Sequence, residues 1–182
     1  MLHTILPDRT KISYVQYGSG SPLVLVHGGF SDHISNWEFV KPLFEQQFTV
    51  YAVPSELRFA LIARRGRGET DATVGHSLDD ESHDVLALIQ SIDEPVFLLG
   101  HSYGAQVALA AAIQIPDRIR KLVLYEAPYP QAISKTVARL EALAQANQWD
   151  DFVGTFFHES LFVPLEKLDQ LRATELWSPL IT

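Results

Sequence analysis

The sequence predicts an α/β fold in which helices flank a mostly parallel β-sheet. Apolar, β-branched segments alternate along the chain with helical patterns, and such alternation is typical of parallel sheets with right-handed crossovers. Residues 22–29 (PLVLVHGG) include a continuous apolar run, as expected for a strand buried on both faces. The serine at position 102 has glycines two residues away on both sides, between a predicted strand and a predicted helix.

The first half of the chain predicts three strands and one helix before residue 54. Runs rich in β-branched and aromatic residues predict the strands, at residues 11–18, 22–29 and 48–53. Residues 35–47 predict a helix, because Trp37, Val40 and Phe44 fall on one side at helical spacing.

The second half continues the alternation and then changes character. Residues 77–92 predict a helix with acidic residues in its first turn and an apolar stripe made of Val85, Leu88, Ile89 and Ile92. A strand at 95–100, a helix at 104–115 and a strand at 121–126 follow. Beyond Pro130 the patterns are helical only, so we divide the chain into a core at 1–130 and a helical segment at 131–182.

Composition excludes several classes of function. The net charge of −8 argues against nucleic acid or an anionic membrane surface as partner. The absence of cysteine excludes disulfides and thiolate catalysis. No apolar run approaches the roughly 18 residues of a membrane span, and the first residues do not resemble a signal peptide. We therefore expect a soluble, cytoplasmic protein. No H-x-x-x-H spacing, G-x-G-x-x-G or phosphate loop occurs, so neither a metal nor a cofactor is expected.

The segment Gly100-His101-Ser102-Tyr103-Gly104 carries the clearest chemistry. A strand, G-x-S-x-G and a helix together form a nucleophile elbow, which lifts the serine hydroxyl above the carboxyl edge of the sheet. The same turn places the Tyr103 N–H at a helix N-terminus, where it can stabilise an oxyanion.

A second glycine-rich turn, His27-Gly28-Gly29-Phe30, follows the buried strand at 22–29. Glycine there lets the backbone approach a bound acyl group. We predict that the Gly29 N–H is the other oxyanion donor, with the Phe30 N–H as the alternative. Taken alone, the turn is more often structural, and its pairing with the elbow favours the functional interpretation.

These motifs together resemble the α/β-hydrolase superfamily, and within it the small esterase and haloperoxidase-like branch. The segments VLVHGGFSD, RRGRGETD, LLGHSYGAQVALAAA and RIRKLVLYEAP occur in the family's order and spacing. The resemblance implies that Ser102 is the nucleophile and Tyr103 an oxyanion donor. It also implies that the segment from about residue 131 is the start of a helical cap.

The chain departs from the family at residues 54–63 (PSELRFALIA), which look like an insertion between the strand at 48–53 and RRGRG. Ala63 stands where the family has an aspartate. The arginines at 64, 65 and 67 could indicate an anion site, although a structural loop is the favoured interpretation.

The catalytic acid and histidine are the second departure. The family order is serine, acid, histidine, and the last two normally follow further strands. The chain has 182 residues, so only 80 of them follow Ser102, and they predict no such strands. We therefore expect the chain to stop within the cap, with both residues missing.

None of the available side chains replaces them convincingly. His158, the one histidine after Ser102, is interpreted as a surface or packing residue. His101 adjoins Ser102, but neighbouring side chains in such a turn diverge. Glu126, at the end of the strand at 121–126, is a candidate acid, since some family members carry the acid there. It would need a histidine to orient, and no histidine is available for that role. His27 and His83 are interpreted as structural and solvated.

Three functional hypotheses remain open at this point. The first is a serine hydrolase for a small ester or acyl substrate, whose base is absent or comes from outside the chain. The second is a non-catalytic binding remnant, and the third is one piece of a split hydrolase. We also expect residues 121–126 to form an exposed apolar edge, so that the chain self-associates or binds a complementary fragment.

Overall fold

A computed structural model describes residues 2–5, 11–29, 31, 33, 36–52, 77–128 and 136–181. The chain divides into two compact units, Met1–Ala127 and Pro128–Thr182. The expected insertion at 54–63 and the arginines at 64, 65 and 67 lie outside the described residues, as does Phe30.

The first unit contains a six-stranded sheet in the order β1-β2-β4-β3-β5-β6. The strands are β1 Leu2–Ile5, β2 Lys11–Tyr17, β3 Ser21–Val26, β4 Phe48–Ala52, β5 Val96–His101 and β6 Ile119–Tyr125. The pairs β3–β4, β3–β5 and β5–β6 are parallel, whereas β1–β2 and β2–β4 are antiparallel. The predicted α/β fold with a mostly parallel sheet is confirmed, and β1 is a strand that the sequence pattern had not indicated.

Helices α1 Lys41–Phe44, α2 Leu78–Gln90 and α3 Tyr103–Gln114 belong to the same unit, and a 3-10 turn, Pro116–Arg118, leads into β6. Helix α2 begins where its acidic first turn predicts. The Ser77 hydroxyl accepts a bond of 3.2 Å from the Asp80 N–H, and the Asp80 carboxylate accepts one of 2.9 Å from the Ser77 N–H. This reciprocal capping box satisfies two of the donors that a helix start leaves open.

The helix predicted at 35–47 is much shorter in the structure. Residues 36–40 form turns, and α1 covers only Lys41–Phe44. Pro42 stands at the start of α1 and lacks an N–H, so a helix cannot continue through it from the preceding turn. The predicted apolar side nevertheless exists, because Trp37 is buried and Val40 and Phe44 pack against the same cluster.

Two apolar clusters hold the sheet. One contains Val24 and Val26 of β3 with residues of α2, α3 and β5, and the other contains Leu23 and Leu25 of β3. Successive β3 side chains therefore enter opposite clusters, and β3 is buried on both faces as predicted. The stripe predicted on the second helix is also buried, comprising Val85, Leu88, Ile89 and Ile92.

Strand β6 is the last strand at one end of the sheet order. Val123, Leu124 and Tyr125 are 49%, 40% and 55% exposed. Within the part of the chain that the structure describes, the expected apolar edge is present.

The second unit is helical throughout its described residues. It contains α4 Val137–Gln145, α5 Trp149–Thr155, a π-helical turn at Phe156–Ser160, α6 Leu165–Arg172 and α7 Ser178–Ile181. Asp150 joins its elements, because the Trp177 indole N–H donates to Asp150 Oδ1 at 2.6 Å and Arg172 pairs with Asp150 at 3.0 Å. Among the described residues, no helix is long and apolar enough to cross a membrane.

Candidate active site

Ser102 occupies a strained turn between β5 and α3. Its backbone has φ 52° and ψ −126°, a conformation that non-glycine residues rarely adopt. The Ser102 N–H donates a 2.9 Å bond to the Tyr125 carbonyl oxygen of β6, and the Ala105 N–H donates a 2.9 Å bond to the Ser102 carbonyl oxygen. These bonds hold a backbone geometry that would otherwise relax, and such strain is concentrated at functional sites.

The glycines on both sides of Ser102 are required by close backbone contacts. A Cβ built on Gly100 would lie 2.4 Å from the Gly104 carbonyl oxygen. A Cβ on Gly104 would lie 2.3 Å from the His27 carbonyl oxygen, so the start of α3 packs directly on the end of β3. No larger residue fits at either position without moving backbone, which explains the G-x-S-x-G spacing sterically.

The glycine-rich turn after β3 lies against this elbow. A Cβ on Gly28 would stand 3.2 Å from Ser102 Cβ, and one on Gly29 would stand 3.9 Å from Tyr103 Cβ. The fold thus brings together Gly29 and Tyr103, the two residues whose N–H groups we predicted as oxyanion donors. His27 is buried, and its Nδ1 donates a 2.8 Å bond to the Gly28 carbonyl oxygen. That contact agrees with the structural role expected for His27.

Asn36 connects the turn to the elbow, and the sequence analysis had missed it. Its Oδ1 lies 3.3 Å from the Gly28 N, 2.5 Å from Ser31 Oγ and 2.8 Å from His101 Nδ1. A single carbonyl oxygen therefore joins the turn after β3 to the residue that precedes Ser102. Asn36 lies beyond the motif, in a turn, and no periodicity or spacing in the sequence marks it.

Glu126 has a histidine beside it, at the end of the neighbouring strand. His101 Nε2 lies 3.8 Å from Glu126 Oε2, and the His101 ring stacks on Tyr125 with centroids 5.3 Å apart. The two side chains meet because β5 and β6 are parallel neighbours and end at the same edge of the sheet. Glu126 also has a positive φ of 51°.

The charge state of His101 reflects two opposing influences. Burial lowers the pKa of His101 below its ordinary value, and the Glu126 carboxylate acts in the opposite direction. The His101 side chain is 27% exposed and that of Glu126 is 68% exposed, so solvent weakens their attraction. With its Nδ1 directed at Asn36, the His101 ring has one nitrogen left for Glu126.

A buried carboxyl group lies beneath the elbow. The Tyr103 hydroxyl lies 3.5 Å from Glu81 Oε1, at the limit of a hydrogen bond, and Glu81 is buried on α2. Burial raises the pKa of Glu81 to about 8; the Tyr103 hydrogen bond opposes this shift, while Asp84 and Asp80 add to it. Burial, followed by the Glu81 charge, raises the pKa of Tyr103 to about 12. The sequence analysis had missed this pair, which joins residues 22 positions apart.

The other histidines lie in different surroundings. His83 is exposed on α2, as expected. His158 belongs to the second unit, where its exposed ring donates from Nδ1 to the Val163 carbonyl oxygen at 2.9 Å. The residues that the structure describes contain no group of three or more side chains able to hold a metal ion.

A serine on a strained turn between a parallel strand and a helix, beneath a glycine-rich turn, is the arrangement of an α/β-hydrolase. The sequence model of the Alpha/beta hydrolase family matches residues 23–180. The chain belongs to this family.

Known proteins share this similarity over much of the chain. Epoxide hydrolase 4 of Homo sapiens is 27% identical over 158 residues, which cover 84% of this chain and 41% of that protein. The 2-hydroxymuconate semialdehyde hydrolase of Pseudomonas sp. is 32% identical over 110 residues, which cover 59% of this chain and 36% of that protein. The chain thus spans less than half the length of these curated relatives.

Several solved structures are similar over nearly the whole chain. The α/β hydrolase from Sphaerobacter thermophilus has a TM-score of 0.76 at 29% identity, and the match covers 99% of this chain and 68% of that chain. The sequence-based assignment to the α/β-hydrolase superfamily is confirmed.

Proposed function

We propose that this chain carries the nucleophile and oxyanion hole of a serine hydrolase for a small ester or acyl substrate. The observation that carries the proposal is the backbone of Ser102, held at φ 52° between two glycines that admit no side chain. Ser102 Oγ attacks the substrate carbonyl as its hydroxyl proton passes to a base or to water, and the N–H groups of Gly29 and Tyr103 stabilise the resulting oxyanion.

The names of the relatives support a small-molecule substrate. They include an epoxide hydrolase, a 2-hydroxymuconate semialdehyde hydrolase and a 2-(acetamidomethylene)succinate hydrolase. Each of these names describes hydrolysis of a small organic compound. The acidic composition, with a net charge of −8, disfavours nucleic acid as the partner. The cytoplasmic location expected from composition is part of this proposal.

Among the described residues we assign no general base for Ser102. His101 makes its contacts with Asn36 and Glu126, and His158 Nδ1 bonds the Val163 carbonyl oxygen. Glu126 is the proposed catalytic acid, and the histidine beside it is His101. Without a base, the serine keeps an ordinary hydroxyl, and the remaining groups supply roughly 10³–10⁴-fold catalysis over water.

Labelling with a fluorophosphonate probe tests this proposal. The expected result is slow labelling that Ser102→Ala abolishes and that Ser91→Ala, a serine at the C-terminal end of α2, preserves. Rapid stoichiometric labelling of the isolated chain would show that a base is present. Labelling that persists in Ser102→Ala would overturn the assignment of the nucleophile.

A complete absence of labelling would favour the alternative, a non-catalytic binding protein or one part of a split hydrolase. The two alternatives differ in genomic context. A split enzyme requires a neighbouring reading frame that encodes further strands followed by a histidine.

Strand β6 is the proposed contact with a partner chain. Its exposed residues Val123, Leu124 and Tyr125 lie at the end of the sheet. Helix α3, which packs against β6, also exposes Leu109 and Ile113. Apolar edges with open backbone groups recruit further strands, so we propose self-association or binding of a complementary fragment here.

Sedimentation of the purified chain at tens of micromolar tests this proposal. The expected result is an associated species that Val123→Lys converts to a monomer and that Val137→Lys, on α4, leaves associated. A soluble monomer with cooperative unfolding would refute the proposed contact.

A further inference from the structure

Asn36 joins the glycine-rich turn to the elbow, the two backbone segments that the proposed mechanism needs to be aligned. Its Oδ1 meets the Gly28 N, Ser31 Oγ and His101 Nδ1 at 3.3, 2.5 and 2.8 Å. Gly28 precedes the proposed oxyanion donor Gly29, and His101 precedes the proposed nucleophile. The amide of Asn36 is half-buried, and its oxygen is the atom shared by both sides of the site.

The chemistry of these contacts fixes the orientation of the Asn36 amide. A backbone N–H such as that of Gly28 can only donate, so the Asn36 atom facing it must be the oxygen. The contact with Ser31 agrees, because its hydroxyl group can donate to the amide oxygen. Since the amide oxygen only accepts, His101 Nδ1 must carry a proton to bond with it.

The position of that proton has a consequence for His101. In the neutral ring the proton sits on Nδ1, and Nε2, which faces Glu126 at 3.8 Å, has a free lone pair. Protonation therefore takes place at Nε2 and creates the ion pair with Glu126. The Nδ1–H bond to Asn36 is present in both charge states. Trp37 approaches the ring edge-on at 6.4 Å and Tyr125 stacks on it at 5.3 Å, and among the described residues Glu126 is the charged group that faces the ring.

We propose that Asn36 is a positioning residue. Its amide oxygen accepts hydrogen bonds from the Gly28 N–H and from His101 Nδ1–H, which imposes the Nδ1–H tautomer on His101. These two bonds hold the turn carrying Gly28 and Gly29 against the elbow. The link to catalysis rests on the proposed function, because it assumes that Gly29 and Ser102 act on one substrate. The hydrogen-bonded junction itself is independent of that assumption. A carboxylate or amide often orients a histidine ring in this way. Here the same contact also aligns two backbone segments.

Nitrogen NMR of the full chain with labelled histidine tests the tautomer, with the His101 signal assigned by its loss in His101→Gln. The expected result is an Nδ1–H tautomer at a pH where the ring is neutral. Asn36→Ala should lose this preference and speed exchange of the Gly28 amide by about tenfold, the effect of one lost hydrogen bond. Asn36→Asp retains an acceptor and should restore both.

Asn147→Asp, the same chemical change in the helical unit, is the matched control and should alter neither signal. An Nε2–H tautomer in the unaltered chain, or an Asn36→Ala variant with unchanged tautomer and exchange, would overturn the assignment. Failure of Ser102 to react with the probe would count against the proposed function alone, because the His101 tautomer is measured without turnover.

Discussion

The carbonyl oxygen of His27 lies where a side chain on Gly104 would have to stand, 2.3 Å from the position of its Cβ. Through this contact the first turn of α3 touches the end of β3, and the elbow meets the glycine-rich turn. Gly104→Ala should therefore lower the free energy of unfolding by about 3 kcal/mol, since backbone must shift to admit a methyl group.

Urea denaturation measures this change, and Gly29→Ala is the matched control for stability. A Cβ on Gly29 would meet its nearest neighbour at 3.9 Å, an ordinary contact. Gly29→Ala should change the free energy of unfolding by no more than about 0.5 kcal/mol. Equal losses in both variants would show that close packing does not explain the glycine at position 104.

The strained backbone of Ser102 predicts an unusual preference for glycine. Ser102→Gly should be more stable than Ser102→Ala by about 1 kcal/mol, because only glycine adopts φ 52° and ψ −126° without strain. Thermal unfolding of the two variants gives the comparison. Ala110→Gly, inside α3, should have the opposite sign and cost about 1 kcal/mol. A Ser102→Ala variant as stable as Ser102→Gly would argue against strain at the elbow.

The buried Glu81 predicts a loss of stability as pH rises. Its pKa is raised from 4.5 to about 8 in the folded chain, mainly by burial, so between these values the folded state holds a proton that the unfolded state releases. Stability due to this group falls across that window as pH increases, and it levels off above pH 8. Glu81→Gln should remove this pH-dependent loss of stability. The free energy of unfolding of the variant, relative to the unaltered chain, should therefore increase from pH 4.5 to pH 8.

Urea denaturation at a series of pH values tests this prediction. Tyr103→Phe removes the hydrogen bond that lowers the pKa of Glu81 and should enlarge the loss. If the difference between Glu81→Gln and the unaltered chain is the same at pH 4.5 and pH 8, the carboxyl group is not held protonated by the fold.

The pair of His101 and Glu126 predicts a shift in histidine titration. The Glu126 carboxylate opposes the effect of burial on the pKa of His101, so Glu126→Gln should move the His101 titration to lower pH. Proton NMR of the imidazole signals measures it. Glu159→Gln, which removes the acid paired with Arg139 in the helical unit, should leave the titration in place. An unchanged midpoint in Glu126→Gln would mean that the 3.8 Å separation carries no effective attraction.

Strand and helix order could be predicted because the local pattern carries it. The continuous apolar run of β3 indicates burial on both faces, and the stripe on α2 indicates one buried face. The exceptions have local causes. Pro42 delays the start of α1, and β1 is only four residues long, too short for its period to be recognised beside a chain end.

The sequence by itself determined the class of fold and the position of Ser102, because the G-x-S-x-G spacing encodes a steric requirement that neighbouring residues reveal. Only the tertiary structure decided which side chains are in contact at the ends of the strands. His101 contacts Glu126 because the parallel strands β5 and β6 end at the same edge of the sheet. It contacts Asn36, 65 positions away in the sequence, because the turn after β3 lies over that edge. Contacts between residues so far apart in the sequence leave no periodic pattern, since each depends on the position of a single side chain in the folded chain.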